Sequence, residues 1–294
     1  MKKIFNKKFL DHNISSDFEG GYRLKAFSDL PDTFCEGEKY LDLVHTPEYI
    51  QSIKESCAAN DSIAEIRLTP TSYEAACLAV GLTIKASEDC DFAVVRPPGH
   101  HAAKDRASGF CLFNNIAIAA QKLANEGKKV FILDIDGHHG DGTQRIFYES
   151  KQVFYCSIHQ QNMFPYTGTL LEFGKGQGIG YTLNIPVAEN CGEKGFLNAI
   201  QKSIDTARKF EPDVIGISAG FDGYRKDKLL GLNLPLHAFY ECGFQLSKSF
   251  KNIFAVLEGG YHDDLRECVD NFVEGVNKGA LPTKIKWNPE LSIG

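Results

Sequence analysis

Short apolar runs alternate with segments of helical period along most of the chain. Six runs rich in Val, Ile and Phe predict strands: Phe92–Val95, Val130–Ile135, Val153–Ile158, Tyr181–Ile185, Val214–Ser218 and Ile253–Leu257. Apolar residues recur at helical spacing over Ser72–Ser87, Leu112–Glu126, Gly142–Tyr148, Lys194–Phe210, Leu236–Ser249 and His262–Val276, which predict helices. The strands are apolar throughout rather than alternating, the pattern of a parallel sheet covered on both faces. Alternation of the two element types makes the fold class α/β, an open sandwich. The first 65 or so residues read less clearly, and the last dozen read as a tail. With no repeat, low-complexity tract or linker, the 294 residues read as one domain with a motif-bearing core over about 40–278.

Polar clusters punctuate this pattern where strands end. Arg-Pro-Pro-Gly-His-His follows the first strong strand, Asp-Ile-Asp-Gly-His-His-Gly-Asp-Gly the second, and Ser-Ile-His-Gln-Gln the third. Ser-Ala-Gly-Phe-Asp-Gly and Leu-Glu-Gly-Gly-Tyr-His close the last two. Sites in open parallel sheets form beyond the carboxyl ends of the strands, so five such clusters converge on one rim.

Asp134, Asp136 and His138 alternate, and period-two spacing puts them on one face. Asp136 and His138 can therefore bind one metal together, with Asp134 deeper as an acceptor. Catalytic zinc needs about three protein ligands and an open position. Asp222, followed by Gly at a strand end, is the natural third, although an Asp-Gly pair alone reads equally as a turn. Two carboxylates and one imidazole form a hard ligand set, open to Fe2+ or Co2+ as well as Zn2+. His100 and His101 follow the rigid Pro97-Pro98-Gly99 turn. Hydrolysis of an amide needs a base for water and an acid for the leaving amine, tasks that two histidines can share; metal binding by the pair is the rival reading. Asp134 and Asp141 are the candidate partners that fix their tautomers. Tyr261, after paired glycines, can donate to a developing oxyanion, though Gly-Gly-Tyr alone is a weak motif.

Charge and composition narrow the class without naming it. At 43% hydrophobic and 24% charged the chain is an ordinary globular one. The net charge of −6, with scattered basic residues, gives no basic face for nucleic acid. No stretch has the length of a membrane span, and the N-terminus lacks the apolar core of a signal peptide. Nine cysteines without a Cys-x-x-Cys pair fit reduced thiols, so a cytoplasmic location is expected. Cys111 reads as a small buried hydrophobe. Gly174–Gly180 echoes a dinucleotide loop but precedes a strand, so it reads as a turn.

Together these motifs resemble the zinc-dependent histone deacetylase family, which includes the acetylpolyamine amidohydrolases. The match is carried by Arg96–His101, Ser108–Asn114, Asp134–Gly142, Ser218–Gly223 and Leu257–Tyr261, and more weakly by Val44–Ile50 and Ser72–Ala76. The resemblance implies the three-layer arginase–deacetylase fold on an eight-stranded, mostly parallel sheet. It implies zinc on Asp136, His138 and Asp222, His100 and His101 as base and acid, and Tyr261 as carbonyl polariser. The pocket would be formed by Gly109, Phe110 and Phe164, with Leu229 at the rim. Structural K+ would sit at Asp134, Asp136, His138 and Ser157, and at Phe147, Ser150, Val153 and Tyr181. Substrates would be acyl-lysine in a protein or peptide, or an acylated polyamine. An arginase-like two-metal hydrolase and a non-catalytic acyl-lysine or polyamine binder are the rivals. The chain departs from the family where Phe18-Glu-Gly-Gly-Tyr-Arg23 replaces a His-Pro-Glu run, and where Tyr224 follows Phe-Asp-Gly. The acidic residue that anchors substrate backbones has only Glu65 and Asp61 as candidates. These departures are expected on the rim, where they bear on substrate choice.

Overall fold

The computed structural model describes residues 1–12, 16 and 18–280; the segment read as a tail lies outside them. Strands β1 (Lys3–Ile4), β2 (Ser62–Ile63), β3 (Ile66–Arg67), β4 (Phe92–Ala93), β5 (Val130–Asp134), β6 (Val153–Gln160), β7 (Thr182–Val187), β8 (Val214–Ala219) and β9 (Ile253–Leu257) are joined by seven helices. These are α1 (Pro47–Ala59), α2 (Pro70–Asp89), α3 (Asn115–Asn125), α4 (Asp141–Phe147), α5 (Gly192–Phe210), α6 (Leu236–Ser249) and α7 (Leu265–Gly279). Every strand and helix expected from periodicity is present, with ends moved by local chemistry. Asn114 accepts a hydrogen bond from Ala117 N and starts α3 three residues later than the apolar period. Pro70, pre-set for a first helical turn, starts α2 earlier.

The main sheet runs β1-β4-β9-β8-β5-β6-β7, with every pairing parallel. Among the described residues it has seven strands rather than the expected eight, and beside β1 these residues form only an isolated bridge between Phe5 and Asp32. The ladder stops there because side chains take over its hydrogen bonds. Asn6 Nδ2 donates to Thr33 O (2.9 Å), Asp32 Oδ1 accepts from Lys7 N (2.7 Å), and the chain turns into a short 3-10 helix at Lys7–Leu10. The inner strands β5, β8 and β9 are buried along their whole length. Helices α1–α3 pack on one another, with α2 and α3 against β4, β5, β8 and β9; α5–α7 pack on one another, with α5 against β5, β6 and β7. Register aligns Asp134 with Ser157 and Ser218, and Ala219 with Leu257. The five polar clusters therefore leave five adjacent strands, β4, β9, β8, β5 and β6, at one end of the sheet. Among the described residues no helix is long and apolar enough to cross a membrane.

The N-terminal region, unreadable by period, fastens the loop that follows β4 from outside. His45 donates from Nδ1 to Lys104 O (3.2 Å) and accepts Asn114 N at Nε2 (2.9 Å), which requires a neutral ring. Burial holds its pKa down, from 6.5 to about 4. A depressed histidine is neutral in the fold and charged in the unfolded chain between those values, so stability falls as pH drops through that window. The His45 contribution at pH 5 is expected to be about 2 kcal/mol below that at pH 8. Urea unfolding at both pH values checks this: His45→Gln should show a smaller pH difference than the parent.

Candidate active site

β5 ends at Asp134, and the turn beyond it brings three ligand-type side chains together. Donor atoms of Asp136, His138 and Asp222 all lie within 4.8 Å of one another. His138 Nδ1 lies 2.6 Å from Asp222 Oδ2 and 3.2 Å from Asp136 Oδ1. Backbone amides orient the carboxylates: Gly259 N donates to Asp136 Oδ2 (2.8 Å) and Gly137 N to Asp222 Oδ1 (2.7 Å). Glycine is required around them, since a Cβ on Gly220 would lie 2.0 Å from Asp136 Oδ2 and one on Gly259 2.6 Å from the same atom. Burial and the neighbouring Asp136 carboxylate push the Asp222 carboxyl up. Burial disfavours charge on His138, but Asp222 and Asp136 outweigh it and hold that ring at about 10. Buried like charges converging with one imidazole, and open on the pocket side, fit a divalent cation with three protein ligands.

Behind the ligands, His100 Nδ1 pairs with Asp134 Oδ2 at 3.1 Å, and its Nε2 lies 3.9 Å from Asp136 Oδ2. His101 Nδ1 pairs with Asp141 Oδ1 at 3.0 Å. The two rings are 4.0 Å apart. Burial opposes charge on both. Asp136 and Asp134 overcome it at His100, which is raised well above the usual range. At His101 burial and the neighbouring His100 win over Asp141, and the ring falls to about 4. Glu258, in the Leu-Glu-Gly-Gly-Tyr run, holds this turn. Its carboxylate accepts from Gly99 N (2.7 Å), His100 N (3.2 Å) and the Ser218 hydroxyl (3.0 Å).

A cavity of about 190 Å³ reaches His138 of this cluster and is lined by Glu65, His101, Gly109, Phe110, His138, Phe164, Leu229 and Tyr261. All four residues expected for the pocket are in its wall. Phe164 lies 5.1 Å from the His101 ring, and Phe110 lies 6.0 Å from Tyr261. Gly109 needs its φ of +54°, and a Cβ there would strike the His101 ring. Of the two acidic candidates, Glu65 lines the cavity and Asp61 does not. Glu65 sits in the two-residue turn between β2 and β3, with Ala64 and Glu65 both at positive φ, and its Oε2 accepts Gly109 N (2.9 Å). Burial keeps the Tyr261 hydroxyl protonated and hence a donor.

Tyr261 rests on a buried ion network built from the N-terminal departure. The Arg23 guanidinium lies 4.7 Å from the Tyr261 ring centroid and donates to Gly260 O and Glu258 O, each at 2.7 Å. Glu19 receives both Arg23 (3.1 Å) and Arg96 (2.5 and 2.7 Å). Phe18–Arg23 therefore braces the site floor rather than marking the rim. Tyr224 is likewise off the rim: it is buried, its ring lies 4.8 Å from His262, and its hydroxyl donates to Asp264 (3.0 Å). The residues expected around K+ are split between two places. Ser157 stands in register with Asp134, while Phe147, Ser150 and Val153 share the turn between α4 and β6, with Tyr181 just before β7. All nine cysteines are free; Cys111 is buried and donates to Gly109 O. Gly174–Gly180 forms a turn leading into β7.

The chain belongs to the histone deacetylase family: the model of the histone deacetylase domain matches residues 31–276. It is 38% identical over 256 residues to Histone deacetylase 5 of Arabidopsis thaliana, covering 77% of this chain and 39% of that protein. The crystal structure of the HDA15 HD domain superposes with a TM-score of 0.84 at 33% identity, over 96% of this chain and 91% of that one. An acetylpolyamine aminohydrolase from Burkholderia pseudomallei gives 0.83 at 26% identity, over 95% and 99%. The chain spans between about two fifths and two thirds of the length of the first curated relatives it matches.

Proposed function

We propose that this protein hydrolyses an acyl amide, with acetyl-lysine in a protein or peptide as the primary substrate, releasing acetate and a free amine. One juxtaposition supports this above all: His138 of the three-residue cluster, the Asp141-backed His101 and Tyr261 all border one narrow, aromatic-walled cavity. Asp136, His138 and Asp222 would hold the divalent cation, zinc before Fe2+ or Co2+. Such an ion, when bound, polarises the acyl carbonyl and makes water acidic enough to be deprotonated near neutral pH. Phe110 and Phe164 bind the alkyl chain between their rings. His101, which faces the cavity, takes the proton from water and returns it to the leaving nitrogen. His100, set behind it with its Nδ1 against Asp134, is the second histidine of the acid–base pair. Tyr261 donates its hydroxyl to the oxygen on which charge develops. The K+ positions given by the resemblance join this reading as structural sites.

A second substrate class has an observation in its favour. Among the described residues Glu65 is the one carboxylate in the wall of the cavity, where it can meet the second ammonium of an acetylated polyamine. A panel of acetyl-lysine peptide, N-acetylputrescine and longer acyl-lysines, with and without a hydroxamate chelator, decides between them. The reading predicts chelator-sensitive acetate release, strongest on the peptide. Binding of these compounds without release of any acid would instead make the protein a non-catalytic reader.

A further inference from the structure

We propose that Asp227 is a positioning residue for the hydrolysis described above, a single carboxylate that sets Tyr261 and Leu229 at once. The proposal rests on the deacylase reading for its chemistry and on geometry for its location. The loop after β8 carries Asp222 and then Leu229; the loop after β9 carries Tyr261. Asp227 lies between them. Its Oδ2 accepts the backbone N–H of Tyr261 at 2.7 Å, and its Oδ1 accepts that of Leu229 at 2.8 Å. Thus each oxygen holds one wall of the cavity.

The surrounding contacts show that this is a built junction. Lys226 Nζ and the Tyr224 hydroxyl both donate to Asp264 Oδ2, at 2.6 and 3.0 Å. His262 Nε2 donates to Phe221 O at 3.1 Å, and its ring packs on Tyr224. Before Tyr261, Phe221 N donates to Gly259 O at 3.1 Å, so the two loops are locked to each other on both sides of Tyr261. The peptide just before Tyr261 is held from below, where Arg23 Nε donates to Gly260 O. Arg23 fixes that carbonyl and Asp227 fixes the next N–H, so the phenol has little freedom to turn. A hydroxyl that must meet an oxyanion at hydrogen-bond distance gains from that restraint, because misplacement by about 1 Å can cost a hundredfold in rate. Nothing in the Asp-Lys-Leu stretch announces this role, since the partner lies 34 residues away.

Asp227→Asn is the test. It keeps the size of the side chain but has one acceptor oxygen, so its NH2 group must face one of the two N–H donors. The account predicts metal content equal to the parent and kcat for acetyl-peptide hydrolysis lower by about 10- to 100-fold, with KM changed much less. In a Tyr261→Phe background the same substitution should cost less than about twofold more, because the hydroxyl it positions is already gone. An unchanged kcat, or an equal loss in both backgrounds, overturns the proposal; the latter is what a merely structural residue gives. A crystal structure of Asp227→Asn provides an arm independent of turnover. Displacement of Tyr261 or Leu229 with Asp136, His138 and Asp222 in place supports the clamp, and unmoved side chains refute it, even if the parent cleaves no acyl amide and the deacylase reading falls. Should Asp227→Asn not fold, Asp227→Ser, a smaller side chain with one acceptor, takes its place in both arms.

Discussion

Asp136→Ala is expected to lose the divalent cation and, with it, about a thousandfold or more in kcat/KM on an acetyl amide. Asp136 contributes Oδ1 toward His138, while Oδ2 is fixed by Gly259 N. Removing it leaves two ligands, too few for a catalytic site of this kind. A cation contributes several kcal/mol of transition-state stabilisation, and each 1.4 kcal/mol or so is tenfold in rate. Metal analysis of the purified variant, with melting temperature measured with and without added zinc, reads this directly. The parent should gain stability with zinc in the manner of any ligand that binds the folded state, and the variant should not. Retained metal with parental turnover would remove Asp136 from the ligand set.

Tyr261→Phe should separate chemistry from metal binding. The substitution leaves the ring against Phe110 and Arg23 and takes away only the hydroxyl. Loss of one oxyanion donor typically costs 10²- to 10³-fold in kcat. Metal content should remain at the parental level, and KM should move little, because the phenol contributes to the developing charge more than to binding of the resting amide. Full activity on acetyl-lysine peptide would assign Tyr261 to the wall of the cavity and nothing more.

The legible parts of this molecule were those with a local rule. Period-two spacing grouped Asp136 with His138, although β5 ends at Asp134 and it is the turn beyond the strand that brings them together; continuous apolar runs placed β5, β8 and β9, because parallel strands covered on both faces are apolar throughout. Asp222 and Tyr261 could be read only in company: each sits in a common turn pattern, and it is the parallel register of β5, β8 and β9 that brings them to one rim. Glu65 could not be chosen over Asp61 without the β2–β3 turn that aims it. The departures at Phe18–Arg23 and Tyr224 read as changes of rim, yet Glu19, Arg23 and Tyr224 are buried supports. A charged residue in an aperiodic loop gives no sign that it will be paired in the interior. Glu258 and Asp227 were missed for the same reason: Gly99 N and His100 N for the first, and Tyr261 N for the second, are backbone amides far away in sequence, supplied by topology. The eighth strand failed on a still smaller scale, where Asn6 and Asp32 substitute side-chain hydrogen bonds for a ladder.

The account stands most directly on one titration. Metal-stripped protein is given increasing Zn2+, and bound metal and acetate released from an acetyl-lysine peptide are measured on the same samples. It predicts that acetate release rises in step with metal and saturates at one ion per chain, with the Asp222→Ala protein silent throughout. Release that is independent of metal, or that requires two ions per chain, would contradict it.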